Sequence, residues 1–287
     1  MHTKTKATIS LFLTAFIWGL AFIGVEDAFS NGWAPFPLLM CRGMIGGSAM
    51  LILSWKRKWW KNKEIIKLGI GCGSLFFLGF AFQSTGQNLS SVPNAAFLTA
   101  LNILFVPLIS RFFLHRKIES KVYVASIIAL VGTAILTLEG SFVLHIGDVL
   151  LLLCAFFFAC QILYNEKCGQ ANDVLSITCI QLYTMGFLSL ICMPITKQTY
   201  VPSEAWGSVL YLALFSSALA SMLQLYGQAH VEPSKASLIL CLESPFATFL
   251  SVFLIGQELT PSILIGGILI FSAVLLVEGN FKKKDAS

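Results

Sequence analysis

Charge is scarce in this sequence. Asp, Glu, Lys and Arg together make up 11% of its 287 residues, against about a quarter in an ordinary water-soluble domain. A soluble enzyme or binding module of this length needs a charged outer surface, so that class is excluded. Long polar connections are missing too, and no stretch reads as a separate soluble domain. There is no glycine loop of the phosphate-cradling kind, no Ser/His/Asp set and no metal-ligand spacing. His2, His115, His145 and His230 stand at ends or in loops, far apart in sequence. No catalytic centre, metal or cofactor is therefore expected. The eight cysteines form no CxxC and lie almost entirely within apolar runs. They read as packing residues rather than a disulfide framework or a zinc site.

What the chain has instead is hydrophobic residues, 56% of the total, in runs that recur along its whole length. A helix needs about 20 apolar residues to cross the ~30 Å hydrocarbon core of a bilayer. The sequence predicts an all-α polytopic membrane protein with ten transmembrane helices, at about 8–29, 36–55, 67–88, 94–113, 121–138, 147–165, 174–194, 205–229, 234–255 and 261–278. The first run follows Lys4 and Lys6 as a signal sequence would, but its apolar part is longer than a signal core, so it is expected to remain as a helix. With ten spans both termini share a side, and of the 19 basic residues only Lys197 and Arg42 do not fall there. The positive-inside rule makes that side cytoplasmic. The cluster from Lys56 to Lys67, with Trp55, Trp59 and Trp60, fits a cytoplasmic headgroup-level loop and not a nucleic-acid patch. The bilayer is the expected partner, with no nucleic acid, and the chain is expected as a monomer or homodimer.

The second half echoes the first at a nearly constant offset along the chain. Gln83-Ser84-Thr85-Gly86-Gln87 recurs as Gln224-Leu225-Tyr226-Gly227-Gln228. Each motif runs through a loop with a proline (Pro93, Pro233) into an alanine-containing helix start (Ala95-Ala96-Phe97, Lys235-Ala236-Ser237). Leu138-Glu139-Gly140 closes span five as Val277-Glu278-Gly279 closes span ten. Two five-span units, 1–140 and 141–287, each with an odd number of crossings, must lie in opposite orientations. Inverted repeats with a site at their interface are a common plan for secondary transporters.

One stretch organises the site. Ser234 to Leu259 is long enough to span, yet Glu243 sits about nine residues in, roughly 13 Å along a helix and close to the midplane. An acid there is costly, and such groups usually face a cavity and mark a path for protons or solute. Its bland reading is a protonated carboxyl bonded to a neighbouring helix. Pro245 frees a backbone carbonyl one turn back, near Cys241. Across the repeat, Asn102 corresponds to Leu242, beside Glu243, and Trp18 corresponds to Phe158. An acid, an amide and two aromatic faces at one depth suit an amine-bearing or aromatic solute. Arg42, below the outer surface, can bind a substrate carboxylate, pair with Glu26 or Asp27, or snorkel outward. Gln83 with Gln87, and Gln224 with Gln228, present amide pairs at i, i+4 that either line the two mouths of a path or join helices. Gln161, Tyr164, Gln181 and Tyr183 are weaker candidates of that kind.

These features resemble the EamA family of the drug/metabolite transporter superfamily. Trp18-Gly19 and Arg42 match its opening "WG…R" pattern, and Ala96-Phe97-Leu98-Thr99 opens span four as in many members. Leu242-Glu243-Ser244-Pro245 resembles its "LEP" with a serine inserted, and Gly256-Gln257-Glu258-Leu259-Thr260 resembles "GERLT" with the acid displaced by one. The first-half counterpart, Leu114-His115-Arg116-Lys117-Ile118, lacks that signature. The likeness covers two repeats, about 9–138 and 147–278. It implies a ten-helix carrier in a bacterial inner membrane, its cavity lined by spans one, three, four, six, eight and nine. Members move amino acids, other metabolites or organic cations, often outward and linked to protons.

The expected function is secondary active transport of a small organic solute, an amino acid or related metabolite moving outward, by alternating access and coupled to protons. Glu243 is the expected protonation or amine-binding site. Two alternatives are a proton-coupled importer of a choline-like cation and a non-transporting membrane scaffold.

Overall fold

The computed structural model describes residues 2–90, 97–138, 146–254, 256 and 258–278. Pro93, Ala95 and Ala96 before span four lie outside the described residues, as do Glu139 and Gly140, His145, Gln257, Gly279 and the lysines from 282 to 284. Among the described residues all regular structure is helical. The helices are α1 (His2–Ser30), α2 (Pro35–Ser54), α3 (Lys63–Asn88), α4 (Phe97–Phe112), α5 (Ser120–Thr137), α6 (Gly147–Gln170), α7 (Val174–Ile195), α8 (Trp206–Gln228), α9 (Pro233–Leu254) and α10 (Pro261–Glu278). Eight of them, α1 to α3 and α5 to α9, are long and apolar enough to cross a membrane, while α4 and α10 are shorter apolar helices. Large apolar side chains such as Ile127, Phe187, Phe253 and Leu275 stand exposed around the outside. In water so wide an apolar surface would aggregate; in lipid it is the solvated face. The chain is a multi-pass membrane protein.

Local chemistry sets the helix ends. Pro35, Pro233 and Pro261 open α2, α9 and α10, where a missing N–H costs nothing. The Asn62 side chain caps α3 by accepting from the N–H groups of Glu64 and Ile65, and Asp173 caps α7 through the N–H of Ser176. Gly32, at φ +85°, ends α1 by letting Trp33 N–H turn back to the Ala28 carbonyl at 3.1 Å.

In the bundle, α2 packs on α7 and α5 on α10. α1 packs on α8 and α9, α6 on α3 and α4, while α3 also meets α7 and α8 also meets α2. Glycines set how closely these pairs approach. A Cβ on Gly43 would stand 2.5 Å from the backbone nitrogen of Gly186 across the α2–α7 seam, and one on Gly132 would stand 2.9 Å from the Gly266 carbonyl across α5–α10. The largest buried cluster draws on α1, α4, α5, α6, α9 and α10, with Leu11, Ile103, Val122, Ile162, Leu238 and Ile270 among its members.

Three helices are irregular, and all three border the site. α9 makes a turn at Cys241–Leu242 and restarts at Glu243. The Cys241 carbonyl that Pro245 leaves without its usual donor accepts instead from Ser244 N–H, at 3.2 Å. α4 makes a similar turn at Leu101 and restarts at Asn102. The restart of α9 thus falls on Glu243 itself. Asn102 therefore matches Glu243, by the same offset that separates the two glutamine motifs, and not Leu242. α8 runs as a π-helix from Leu212 to Leu219.

Candidate functional site

A cavity with about 1080 Å³ of atom-free space, part of it open to solvent, occupies the middle of the bundle. It reaches along α1 past Phe22, Val25 and Phe29, and along α3 past Gln83 to Gln87. Both directions lead to the bundle end where α1 and α3 finish. At the other end Leu11, Asn165, Leu225, Gln228 and Ala236 are buried.

On one wall α1 meets the restart of α9. A Cβ on Gly19 would lie 2.8 Å from Phe246 Cβ and 3.0 Å from the Glu243 carbonyl, so only glycine lets α1 close on this turn. Trp18, next in sequence, lines the cavity and donates its indole N–H to the Ser216 carbonyl in the π-helical turn, at 3.0 Å. The Trp18-Gly19 pair therefore performs two tasks, holding α8 and admitting α9. Glu243 is half-buried and lines the cavity. Among the described residues no hydrogen bond or ion pair engages its carboxyl. As the first residue of a 12-residue half-helix it sits at the positive end of that segment's dipole. Asn102 lines the same cavity from the start of the second half of α4.

Another part of the lining is aromatic. Phe80 and Phe158 meet edge to face at 5.2 Å, and Phe80 meets Phe76 likewise at 4.8 Å. Phe158 fits because α3 offers Gly79 beneath it, where a Cβ would come within 2.5 Å of the ring. Arg42 is only 4% exposed. Its Nε donates to Ser217 Oγ at 2.9 Å and its Nη2 to Ser216 Oγ at 3.4 Å, while the guanidinium carbon lies 4.8 Å from the centre of the Phe80 ring. Of the three readings of Arg42, neither the pairing with Glu26 or Asp27 nor the outward snorkel is found among the described residues. Asp27 instead accepts from Ser208.

The two glutamine motifs have different surroundings. Gln83 and Gln87 line the cavity half-buried. Gln224 lies at the cavity floor, 1% exposed, and exchanges hydrogen bonds with Gln161 at 3.3 and 3.4 Å. One turn further, Asn165 donates to Gln228 Oε1 at 2.6 Å. The Cys72 thiol bonds to Asn165 at 2.9 Å and Gln181 at 3.3 Å beneath them.

The structure thus brings Trp18, Arg42, Gln83, Gln87, Asn102, Phe158, Gln224 and Glu243 around one cavity. Of the weaker candidates Gln161 joins them, whereas Tyr183 bonds to Ser48 on the outer face of the bundle and Gln181 lies under the floor. Sequence reasoning passed over Phe80, Ser216 and Ser217. Phe80 stands at i−3 from Gln83 and i−7 from Gln87, so helical spacing from the glutamines would have found it. The serines carried no such signal, because the π turn that presents them has an ordinary apolar composition.

Comparison with known proteins agrees with this architecture. The profile of the EamA-like transporter family matches the chain twice, over residues 5–138 and 145–279. An uncharacterized transporter of Archaeoglobus fulgidus is 30% identical over 276 residues, covering 96% of this chain and 86% of that protein. The uncharacterized transporter YdfC of Bacillus subtilis is 25% identical, over 96% and 92% of the two chains. A probable terminal-alkyne amino-acid exporter of Streptantibioticus cattleyicolor is 23% identical, over 95% and 93%. One solved crystal structure superposes with a TM-score of 0.81 at 17% identity, over 95% of this chain and 96% of that one, a likeness of fold alone. The chain belongs to the EamA-like transporter family, and its relatives are membrane transporters.

Proposed function

We propose that this protein is a secondary active transporter that moves a small organic solute, an amino acid or related metabolite, outward across a bacterial inner membrane. Its ten helices form two five-helix halves, 1–140 and 141–287, inserted in opposite senses, with both termini in the cytoplasm. The packing supports that plan. Replacing each helix by the one five places on turns α1–α8 into α6–α3, α1–α9 into α6–α4 and α3–α7 into α8–α2, and returns α2–α7 and α5–α10 to themselves. The support extends to single atoms. A Cβ on Gly86 would strike Leu151 Cγ and the Gly147 carbonyl. One on Gly227, the repeat counterpart of Gly86, would strike Leu11 Cγ and the Ala7 carbonyl, which are the counterparts of those two groups. Two halves related in this way can exchange their open and closed ends by rocking about the shared cavity.

The observation that carries the reading is Glu243, a carboxyl with no hydrogen-bond or ion-pair partner among the described residues, at a helix break inside a cavity that reaches one end of the bundle. There it can hold a proton or a solute's ammonium group and release it when the cavity changes sides. The relative named a probable terminal-alkyne amino-acid exporter handles a solute within the same broad class. A choline-like cation fits less well, because Arg42 places a second positive charge in its cavity. The test is solute flux in proteoliposomes with an imposed pH gradient. Glu243→Gln should abolish the dependence on that gradient, and a variant that keeps proton-driven flux at the wild-type rate would remove Glu243 from the coupling step.

A further inference from the structure

We propose that Arg42, with Ser216 and Ser217 of the π-helical turn, forms a seat for the carboxylate of the transported solute. This rests on the transport reading above and narrows it to solutes that carry a carboxylate. Three observations converge. First, Arg42 is 4% exposed, and among the described residues it makes no ion pair. A guanidinium removed from water without a counter-charge costs several kcal/mol, and a bound anion would supply the missing charge. Second, its fork is partly committed and fixed in direction. Ser217 Oγ takes the Nε proton, Ser216 Oγ takes one Nη2 proton, and the Phe80 ring supports the planar face. The remaining N–H groups belong to a side chain that lines the cavity. Third, Ser216 Oγ acts as an acceptor toward Arg42 and so keeps its own proton to donate. Ser216 also lines the cavity. A planar oxyanion fits such an arrangement, since an arginine fork can meet both oxygens at once.

The π turn is what makes this possible. Ser216 and Ser217 are adjacent in sequence, yet both hydroxyls reach one guanidinium. Trp18 holds the turn in place through the Ser216 carbonyl. Ser216 and Ser217 are thus positioning residues for Arg42, and Ser216 is in addition a direct contact for the anion. Glu243 lines the same cavity and, among the described residues, is not paired with Arg42. The two charges therefore remain free to meet the two ends of a zwitterion.

The experiment measures ligand-induced thermal stabilisation of the full chain in nanodiscs. The probes are the proteinogenic amino acids, each beside its decarboxylated amine (phenylalanine with phenethylamine, leucine with isopentylamine), with formate and chloride alone as small-anion probes. At least one amino acid should stabilise the protein, and its amine should bind about tenfold more weakly or worse. Formate should outdo chloride. Arg42→Lys keeps the charge but loses the fork, and Ser217→Ala removes one hydroxyl from a buried site. Each should weaken the acid by about three- to tenfold while leaving the amine unchanged, a selective loss that a merely loosened fold would not produce. Amines that bind as tightly as their acids would overturn the seat and leave the transport reading standing. Equal stabilisation by chloride and formate would assign Arg42 to any small anion and also overturn it. No response to any acid or amine would remove both readings.

Discussion

At the end of the bundle opposite the cavity mouth, buried amides bridge α6 and α8, and on the proposed transport cycle removing one of them should open that end. Gln161 and Gln224 exchange two hydrogen bonds between α6 and α8, and Asn165 adds a third through Gln228. Gln224→Leu removes the first two. It leaves the Gln161 amide in a site 1% exposed where, among the described residues, its one remaining side-chain hydrogen-bond contact is the Cys72 sulfur, 3.9 Å away. Two neutral hydrogen bonds and one stranded amide together penalise the closed arrangement by about 2 kcal/mol or more. In a state where α6 and α8 part, water satisfies Gln161 and the penalty vanishes. The balance between closed and open should therefore move by about 30-fold.

The chain contains its own reporter. Cys72 is fully buried under this seal and bonded to Asn165, while Cys179 is equally buried against the Gly47 carbonyl, away from it. Maleimide labelling, read peptide by peptide by mass spectrometry, should accelerate at Cys72 in Gln224→Leu by a factor of tens. At Cys179 it should stay at the wild-type rate. Gln83→Leu is the matching change at the open end, where no amide meets Gln83 among the described residues, and it should leave Cys72 slow. Acceleration at both cysteines would mean general loosening, and no acceleration at Cys72 would mean that the amides do not hold this end closed. Either outcome refutes the reasoning.

Further outcomes follow from packing and charge. Gly86→Ala and Gly227→Ala force a Cβ to 2.8 Å from Leu151 Cγ and 2.5 Å from Leu11 Cγ, respectively, and each should lower thermal stability by about 1–3 kcal/mol. Gly207→Ala meets open space within α8 and should leave the unfolding midpoint unchanged or raise it by up to about 1 kcal/mol in stability. Arg57 and Asp173 pair at 3.0 Å but remain partly exposed, so Arg57→Ala should cost less than about 1 kcal/mol, and that cost should fade in high salt. In the loop before α5, the hydrogen bond and charge of Lys121, followed by the charge of Lys235, hold the Glu119 carboxyl below its ordinary range. Its contribution to stability is thus present above the ordinary carboxylate range and lost as pH falls through the lowered value. Lys121→Gln should move the Glu119 titration upward, as followed by the carboxyl carbon signal in NMR.

How far the sequence reaches depends on which physical constraint is in play. Lipid imposes long apolar runs, so the membrane class and the order of helices could be read directly. A polar group inside such a run must have a reason, and its cost in lipid is enough to single out Glu243, Arg42, Asn102 and the glutamines. The bend in α9 was also legible, because Pro245 cannot donate to Cys241. The turn at Leu101 was not, since Pro107 lies deeper in α4 and outside that break. Backbone irregularity without proline leaves no compositional trace, and the π turn of α8 was invisible for the same reason.

The surroundings of the two glutamine motifs could not be read either, because both halves carry the same Gln-x-x-Gly-Gln pattern. Their difference lies in the facing helix. Gln224 and Gln228 meet Gln161 and Asn165, whose counterparts in the first half are Ala21 and Val25. If the halves exchange roles, Gln83 and Gln87 close on side chains that offer no amide. The two closed ends are then unequal in hydrogen bonding, although the motifs that form them are alike. The arrangement with α6 sealed on α8 is favoured by the difference, roughly three buried amide bonds at about 1 kcal/mol each. On the proposed exchange of the two halves, a repeat that looks symmetric in sequence would encode an unsymmetric equilibrium, and the residues that set it would be Ala21 and Val25, whose side chains carry no polar group.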